Sequence, residues 1–575
     1  MPDNAAGSHA GWHPERRRLV FVGLGVLTAA LMASIAPVDW VTGNGSTRLE
    51  YRGDVIVEAP IRVGAADYLF FAGSADGVDF ELTYPRGVPV GSPIEATIAF
   101  SRNGAAIQPA IGDIVLQLEL PDGDSELIPI VRWDEATQKV VAMRRPPQSA
   151  AVVLGLLGFV VVLWVTEAIP LFVTSLLIPL VLVFSGVAGA AEATAPFVSP
   201  IIILFFAGFL MAEAMKRCGL DHYIAVSITA RAGRRPQVLY AVLLGLAAAL
   251  SMFMSNTAAA VVVIPIAVAV TAPLGEEGYR KALVLGIAYA ATIGGVGSAI
   301  GTPANQLAIQ FLDEFLGQEI SFVEWFAFGV PMVVLFLPLM GAYVWRRSHV
   351  VLDRQQFHDV NAIAREEMAR LGRPSGKQLL VLGVFATVAA GWLTQTVHGY
   401  HSGIIALAGA ITLFIVGRLE PEDLAKISWP ALITFGGGLT LGLFLVQTGV
   451  SDYLATRLVG LSNAPALLAV LVVAVITLLL TTVASNTASA AILIPIAIPL
   501  AAVIGVSPIG LVVVVAIASS IDFALVVGTP PTMVAYATRL YTAGQIFRKG
   551  IVLDFLGLAL LVFVVTRIWE LLGLT

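Results

Sequence analysis

From residue 150 onward, hydrophobic residues fill stretches at roughly 150–168, 171–189, 198–212, 237–273, 281–311, 327–345, 378–395, 402–417, 430–448, 466–504, 508–537 and 551–573. Since about 20 apolar residues span a bilayer, this pattern predicts an α-helical polytopic membrane protein. An earlier stretch, 19–36, follows Arg16-Arg17-Arg18, a basic flank that holds an N-terminus in the cytoplasm. Its small residues Ala33-Ser34-Ile35-Ala36 also allow a rival reading as a cleaved signal peptide. Residues 39–147 abandon the membrane pattern. Alternating stretches at 95–100 and 113–120, separated by Asn103-Gly104 and Asp122-Gly123, predict antiparallel strands and turns, forming a small extracytoplasmic β-sandwich.

The stretches 237–273 and 466–504 are too long for one ordinary span, and each is interrupted by the same polar tripeptide. Ser255-Asn256-Thr257 recurs as Ser485-Asn486-Thr487, and both lead into an identical Ile-Pro-Ile-Ala at 264–267 and 494–497. Polar backbone at membrane depth is tolerated where it lines a protected cavity, so each stretch is read as a re-entrant hairpin folded at its tripeptide. An offset of 230 also pairs Pro200 with Pro430, Gly208 with Gly438, Gly219 with Gly449 and Tyr223 with Tyr453. Downstream the offset becomes 227, pairing Gly301-Thr302-Pro303 with Gly528-Thr529-Pro530. Proline there frees backbone carbonyls that a helix would otherwise use, giving a second pair of broken elements.

Loop charges orient the repeat, because cytoplasmic loops collect Lys and Arg. Residues 346–377 and 214–235 are rich in them, 539–549 adds Arg539, Arg548 and Lys549, and 449–465 holds only Arg457. The first hairpin therefore opens from the cytoplasm and the second from outside, an inverted repeat. The expected organisation is an N-terminal tail and first span (1–38), the β-rich domain (39–147), a first repeat (148–345), a cytoplasmic linker (346–377) and a second repeat (378–575).

Composition agrees with the pattern: 57% hydrophobic and 13% charged residues with a mean hydropathy of +0.87 exclude a water-soluble globule. The net charge of −6 resides in 39–147, where 16 acidic side chains face 9 basic ones, and the near-neutral remainder offers nothing to nucleic acid. The lone Cys218 excludes an internal disulfide and reads as a small buried residue at a helix end. No nucleophile with a base and no metal-ligand cluster suggests an enzyme. Residues 372–377 do not match a nucleotide-binding P-loop.

At a hairpin tip, Ser, Asn and Thr offer hydroxyl and amide donors beside the unpaired N–H groups of a helix start, which suits an anion. The same tip offers hard oxygens for a small cation. Ser251 and Thr481, one turn before the two motif serines, add an oxygen to each, and the glycines of 291–297 allow close backbone approach. No Lys, Arg or His occurs between 251 and 279, 282 and 310, or 478 and 535. A buried dianion without a countercharge is prohibitive, so cations entering with the substrate supply the charge.

Trp164-Val165-Thr166-Glu167-Ala168-Ile169-Pro170, both tripeptides and both Thr-Pro turns resemble the divalent anion/sodium symporters, carriers of dicarboxylates, citrate or sulfate, over about 145–575. The resemblance implies an elevator mechanism, a homodimer, a multi-pass position in the inner (plasma) membrane and about two or more sodium ions. Carried over, Asn256, Thr257, Asn486 and Thr487 contact the anion, with Ser255, Ser485, Thr302, Thr529 and Pro530 completing its surroundings. One sodium site comprises Ser251, Ser255, Asn256 and Gly301; the other Thr481, Ala484, Asn486 and Gly528. Thr302-Pro303-Ala304-Asn305 and Thr529-Pro530-Pro531-Thr532 depart from the family's Thr-Pro-Pro-Asn, so the anion's identity stays open: a C4-dicarboxylate such as succinate, or an inorganic oxyanion such as sulfate. A proton-coupled carrier and a dicarboxylate exchanger fit the same residues.

Asp522, a carboxylate inside an apolar stretch, is functional by default. It is read as a coupling residue, or else as the acceptor of a structural bond from backbone N–H. Glu167 is read as a structural cap at a helix end, and Trp325 and Trp569 as markers of the membrane interface.

Overall fold

A computed structural model describes residues 14–35, ten strand segments between 45 and 144, and residues 147–575 except 232–234, 272–275, 351–357, 458–463 and 527. The expected turns Asn103-Gly104 and Asp122-Gly123 lie outside the described residues, as does Ala36 of the possible cleavage site. The first helix, Pro14–Ile35, packs along Pro147–Thr166. Gly155 permits the approach, since a Cβ there would stand 2.8 Å from the Ala29 carbonyl oxygen; small residues let apolar helices meet closely in lipid.

Between these helices lie two antiparallel sheets. One runs in the order Asp54–Ile61, Gly45–Tyr51, Ile114–Glu119, Ser125–Leu127. The other runs Tyr68–Ala75, Val78–Pro85, Ile94–Arg102, Lys139–Arg144, Ile130–Asp134, with the short Ala105–Ala106 beside Ile94–Arg102.

Eight of the described helical segments are long and apolar enough to cross a membrane. From Pro200 one order of elements occurs twice. Pro200–Arg217 corresponds to Trp429–Gln447 and Leu220–Arg231 to Val450–Arg457. The arms Pro236–Ser251 and Asn256–Thr271 correspond to Ala466–Val483 and Asn486–Ile504. Beyond them, Glu277–Gly294 and Pro303–Leu316 correspond to Pro508–Ala518 and Pro530–Ala537. The two series interlock: Asn256–Thr271 packs on Pro530–Ala537, and Asn486–Ile504 on Pro303–Leu316. Each hairpin therefore rests on the broken helix of the other series.

At the end of Pro200–Arg217, a charged cluster ties this helix to 420–426. Arg217 bonds Glu420 and, at 2.6 Å, Asp423. Lys426 meets the other Asp423 oxygen at 2.6 Å, and the Glu420 N–H donates to Asp423 at 2.8 Å. Burial alone would raise the Asp423 carboxyl, but Lys426, the Glu420 amide and Arg217 outweigh it and hold it at about 2. A depressed folded-state value stabilises the fold above the unfolded value of about 3.9, and the contribution disappears as pH falls toward 2. The thermal midpoint of the purified protein is expected to drop across that window, and Asp423→Asn to lower it at neutral pH while flattening the acid limb. An unchanged acid limb in the variant would remove Asp423 as its cause.

Candidate functional site

Both tripeptides sit at the break between two arms. The motif serine starts the second arm: the Ala258 N–H donates to Ser255 Oγ at 3.3 Å and the Ala488 N–H to Ser485 Oγ at 3.2 Å. Serine at a helix N-cap is stabilising for this reason. Asn256, Thr257, Asn486 and Thr487 then occupy first turns, where backbone N–H groups have no intrahelical acceptor and the positive helix end is exposed to a ligand. These four side chains are partly accessible, as a contact surface requires.

Behind each tip is a cluster of oxygens with too few protons. Ser251 Oγ lies 2.6 Å from Asn256 Oδ1 and 2.6 Å from the Ala291 carbonyl. In the second copy, Thr481 Oγ1 lies 2.9 Å from Asn486 Oδ1 and 2.6 Å from the Ser519 carbonyl. A hydroxyl has one proton to donate, so each trio keeps unsatisfied lone pairs. Gly295 and Gly301 complete the first cluster: a Cβ on Gly295 would press on Asn256 Oδ1 and stand 2.9 Å from the Gly301 carbonyl oxygen. At the matching place in the second copy, a Cβ on Gly528 would overlap the Asp522 carboxylate. Ala484 ends the first arm of its hairpin in extended conformation and is buried.

The non-helical crossovers beside these clusters are held by side chains to which the sequence assigned no such role. Asn305 Nδ2 donates to the carbonyls of Gly295 at 3.0 Å, Val296 at 3.3 Å and Ser298 at 2.7 Å. Thr532 replaces it in the second copy and instead pairs with Thr529 at 2.8 Å. There the crossover is anchored by Asp554, which accepts from the N–H groups of Phe523 at 2.7 Å and Ala524 at 3.2 Å. Tyr289 donates to the Phe523 carbonyl at 2.9 Å, as the Trp325 indole does to Val296 at 3.0 Å. An acid in the last apolar stretch was the available signal for Asp554.

Several expectations change. Trp325 and Trp569 are fully buried, with indole N–H groups bonded to Val296 and Phe328, so they lock interior backbone instead of marking an interface. Glu167 follows the helix Pro147–Thr166 with φ 47 and is exposed. It lines a cavity of about 570 Å³ together with Pro170, Thr434, Phe435, Ser485 and Thr487, so this helix end also borders the second tripeptide. Asp522 lies beyond the end of Pro508–Ala518, outside any helix, because the chain unwinds before Gly528. Thr302 and Thr529 are buried, while Pro530 is exposed. Among the described residues, no three His, Cys, Asp or Glu side chains gather as metal ligands.

Residues 145–575 match the model of a family described as the sodium:sulfate symporter transmembrane region. The sodium-dependent dicarboxylate transporter SdcS of Staphylococcus saprophyticus is 32% identical over 445 residues, covering 72% of this chain and 85% of the relative. SdcS of Staphylococcus aureus is 31% identical over 451 residues, covering 73% and 86%. A Haemophilus influenzae protein named as an uncharacterized transporter is 31% identical over 420 residues, covering 70% and 88%. Two solved structures are more distant in sequence. One is the Alcanivorax borkumensis YdaH transporter, at 14% identity and TM-score 0.47, covering 66% of this chain and 86% of that one. The other is Neisseria gonorrhoeae MtrF, at 13% and 0.48, covering 98% and 96%. With the helical segments long enough to span a bilayer, the family match over 145–575 and the relatives above 30% identity, the chain belongs to the sodium:sulfate symporter family of membrane transporters.

Proposed function

We propose that this chain carries a divalent anion into the cell together with sodium, and that the anion is a C4-dicarboxylate such as succinate. The observation that supports this best is the pair of oxygen clusters, Ser251 with Asn256 and Ala291, and Thr481 with Asn486 and Ser519. Each stands beside a helix start suited to a carboxylate, in stretches with no basic side chain. A dianion there needs mobile positive charge. Sodium held by Ser251, Ser255, Asn256 and Gly301, and by Thr481, Ala484, Asn486 and Gly528, supplies it. The anion's two ends lie on Asn256 with Thr257 and on Asn486 with Thr487, bordered by Ser255, Ser485, Thr302, Thr529 and Pro530. The relatives named as sodium-dependent dicarboxylate transporters support the same choice of ion and substrate.

In this reading the two element series are an inverted repeat, oriented by the basic loops with the N-terminus in the cytoplasm. The interlocked hairpins move as one body, an elevator, against the remaining helices of a homodimer in the inner (plasma) membrane. A second substrate reading, sulfate, is favoured by the description of the family model and by Thr532 standing where Asn305 stands in the first copy. Uptake of labelled succinate and sulfate into proteoliposomes separates them. Inward sodium gradients are expected to drive succinate accumulation that excess sulfate barely inhibits. Accumulation of sulfate with succinate ignored would make the chain an oxyanion symporter, and uptake only into preloaded vesicles would make it an exchanger.

A further inference from the structure

Among the differences between the two oxygen clusters, one is a full charge. The offset of 227 that pairs Gly301 with Gly528 also pairs Gly295 with Asp522. In the first copy, a Cβ on Gly301 would collide with the Gly295 carbonyl; in the second, a Cβ on Gly528 would collide with the Asp522 carboxylate. The same face of the turn thus meets a peptide oxygen in one half and a carboxylate in the other.

Asp522 is fully buried, and neither of its carboxylate oxygens has a hydrogen-bond partner. The Leu525 amide lies near without closing a bond. Neighbouring donors are turned elsewhere: the N–H groups of Phe523 and Ala524 go to Asp554, and the Tyr289 hydroxyl goes to the Phe523 carbonyl. No Lys, Arg or His occurs between 478 and 535. A buried carboxylate left in this condition is strongly unfavourable. Its counterpart Gly295 borders Asn256 Oδ1 in the first copy, so the matching position in the second copy would let Asp522 share a cation with Thr481 Oγ1, Asn486 Oδ1 and the Ser519 carbonyl, all hard oxygen ligands.

We propose that Asp522 is an anionic ligand of the second cation site, which therefore holds sodium before any anion arrives, whereas the uncharged first site fills with the anion. This rests on the sodium-coupled reading above. At the first site the substrate's own charge offsets the desolvation of the ion; at the second the protein supplies that charge itself.

Binding of radioactive sodium to the purified full chain in lipid, without any anion, tests the order. Wild type is expected to fill one site, and Asp522→Asn to weaken that binding on the order of 1000-fold, the scale of one unit charge at about 4 Å in a partly screened interior. Ser251→Ala is expected to keep the anion-free binding and to lose the additional sodium that succinate recruits. Wild-type protein alone provides a second measurement, should Asp522→Asn fail to fold. A hydrophobic carbodiimide labels buried carboxyl groups, and sodium without anion is expected to protect Asp522, read by mass spectrometry of its peptide. Anion-free sodium binding equal in wild type and Asp522→Asn, or Asp522 labelling indifferent to sodium, overturns the inference while sodium-dependent uptake stands. Uptake indifferent to sodium in the wild type overturns the parent reading instead.

Discussion

Replacing either motif asparagine, Asn256→Ala or Asn486→Ala, is expected to abolish anion uptake while leaving the chain folded. Each Oδ1 is the link between the arm before the break and the tip itself, bonded to Ser251 in one copy and Thr481 in the other. Each is also assigned to both the cation and the anion. Losing hydrogen bonds to charged ligands costs about 3 kcal/mol, on the order of 100-fold in apparent affinity. Folding survives because the serine caps of the second arms are untouched, and because the asparagines are partly accessible instead of part of the core. Uptake assays paired with thermal midpoints in detergent separate the two effects. Full transport by either variant would remove that residue from the site.

Gly301→Ala is expected to be nearly as damaging for a different reason. Its Cβ would collide with Gly295, whose backbone cannot retreat. The Gly295 carbonyl is held by Asn305, the neighbouring Val296 carbonyl by Asn305 and Trp325, and the Ser298 carbonyl by Asn305 again. Overpacking a rigid contact of this kind costs about 1–3 kcal/mol, and the displacement falls on the assigned cation site. Gly245→Ala is the comparison, since it lies mid-helix with open space around the new methyl. There alanine is expected to be neutral or to stabilise by about 0.5–1 kcal/mol. Wild-type sodium-dependent uptake in Gly301→Ala would mean that the crossover does not border the cation.

The parts of this architecture legible in the sequence are those with local signatures. The tripeptide duplication and the two Gly-Thr-Pro turns located the breaks in both series, because a polar cap or a proline after an apolar run leaves few conformations. The alternating stretch at 95–100 likewise lies within the strand Ile94–Arg102. What escaped depends on distant partners. Asp554 meets Phe523 and Ala524 from another helix, about 30 residues later in the chain, and nothing near it in sequence announces unpaired N–H groups there. Trp325 and Trp569 have the amphipathic chemistry of interface residues, yet each found an interior carbonyl. Glu167 reads as a helix-end residue from its neighbours alone, and it does follow the helix end with φ 47, whereas the cavity beside Ser485 and Thr487 emerges only once Pro170 and Thr434 are brought together. Asp522 was visible as an anomaly, and its pairing with Gly295 gained meaning when both were found against the turn glycines.

The central claim, that the duplicated tips carry cations alongside one shared anion, is tested most directly by following radioactive sodium and labelled succinate into the same proteoliposomes. An outward-to-inward sodium gradient is expected to drive both, with at least about two sodium ions entering per succinate, the number that offsets a dianion lacking basic partners. Succinate entry that continues unchanged when sodium is replaced by choline, and follows an imposed proton gradient instead, would contradict it.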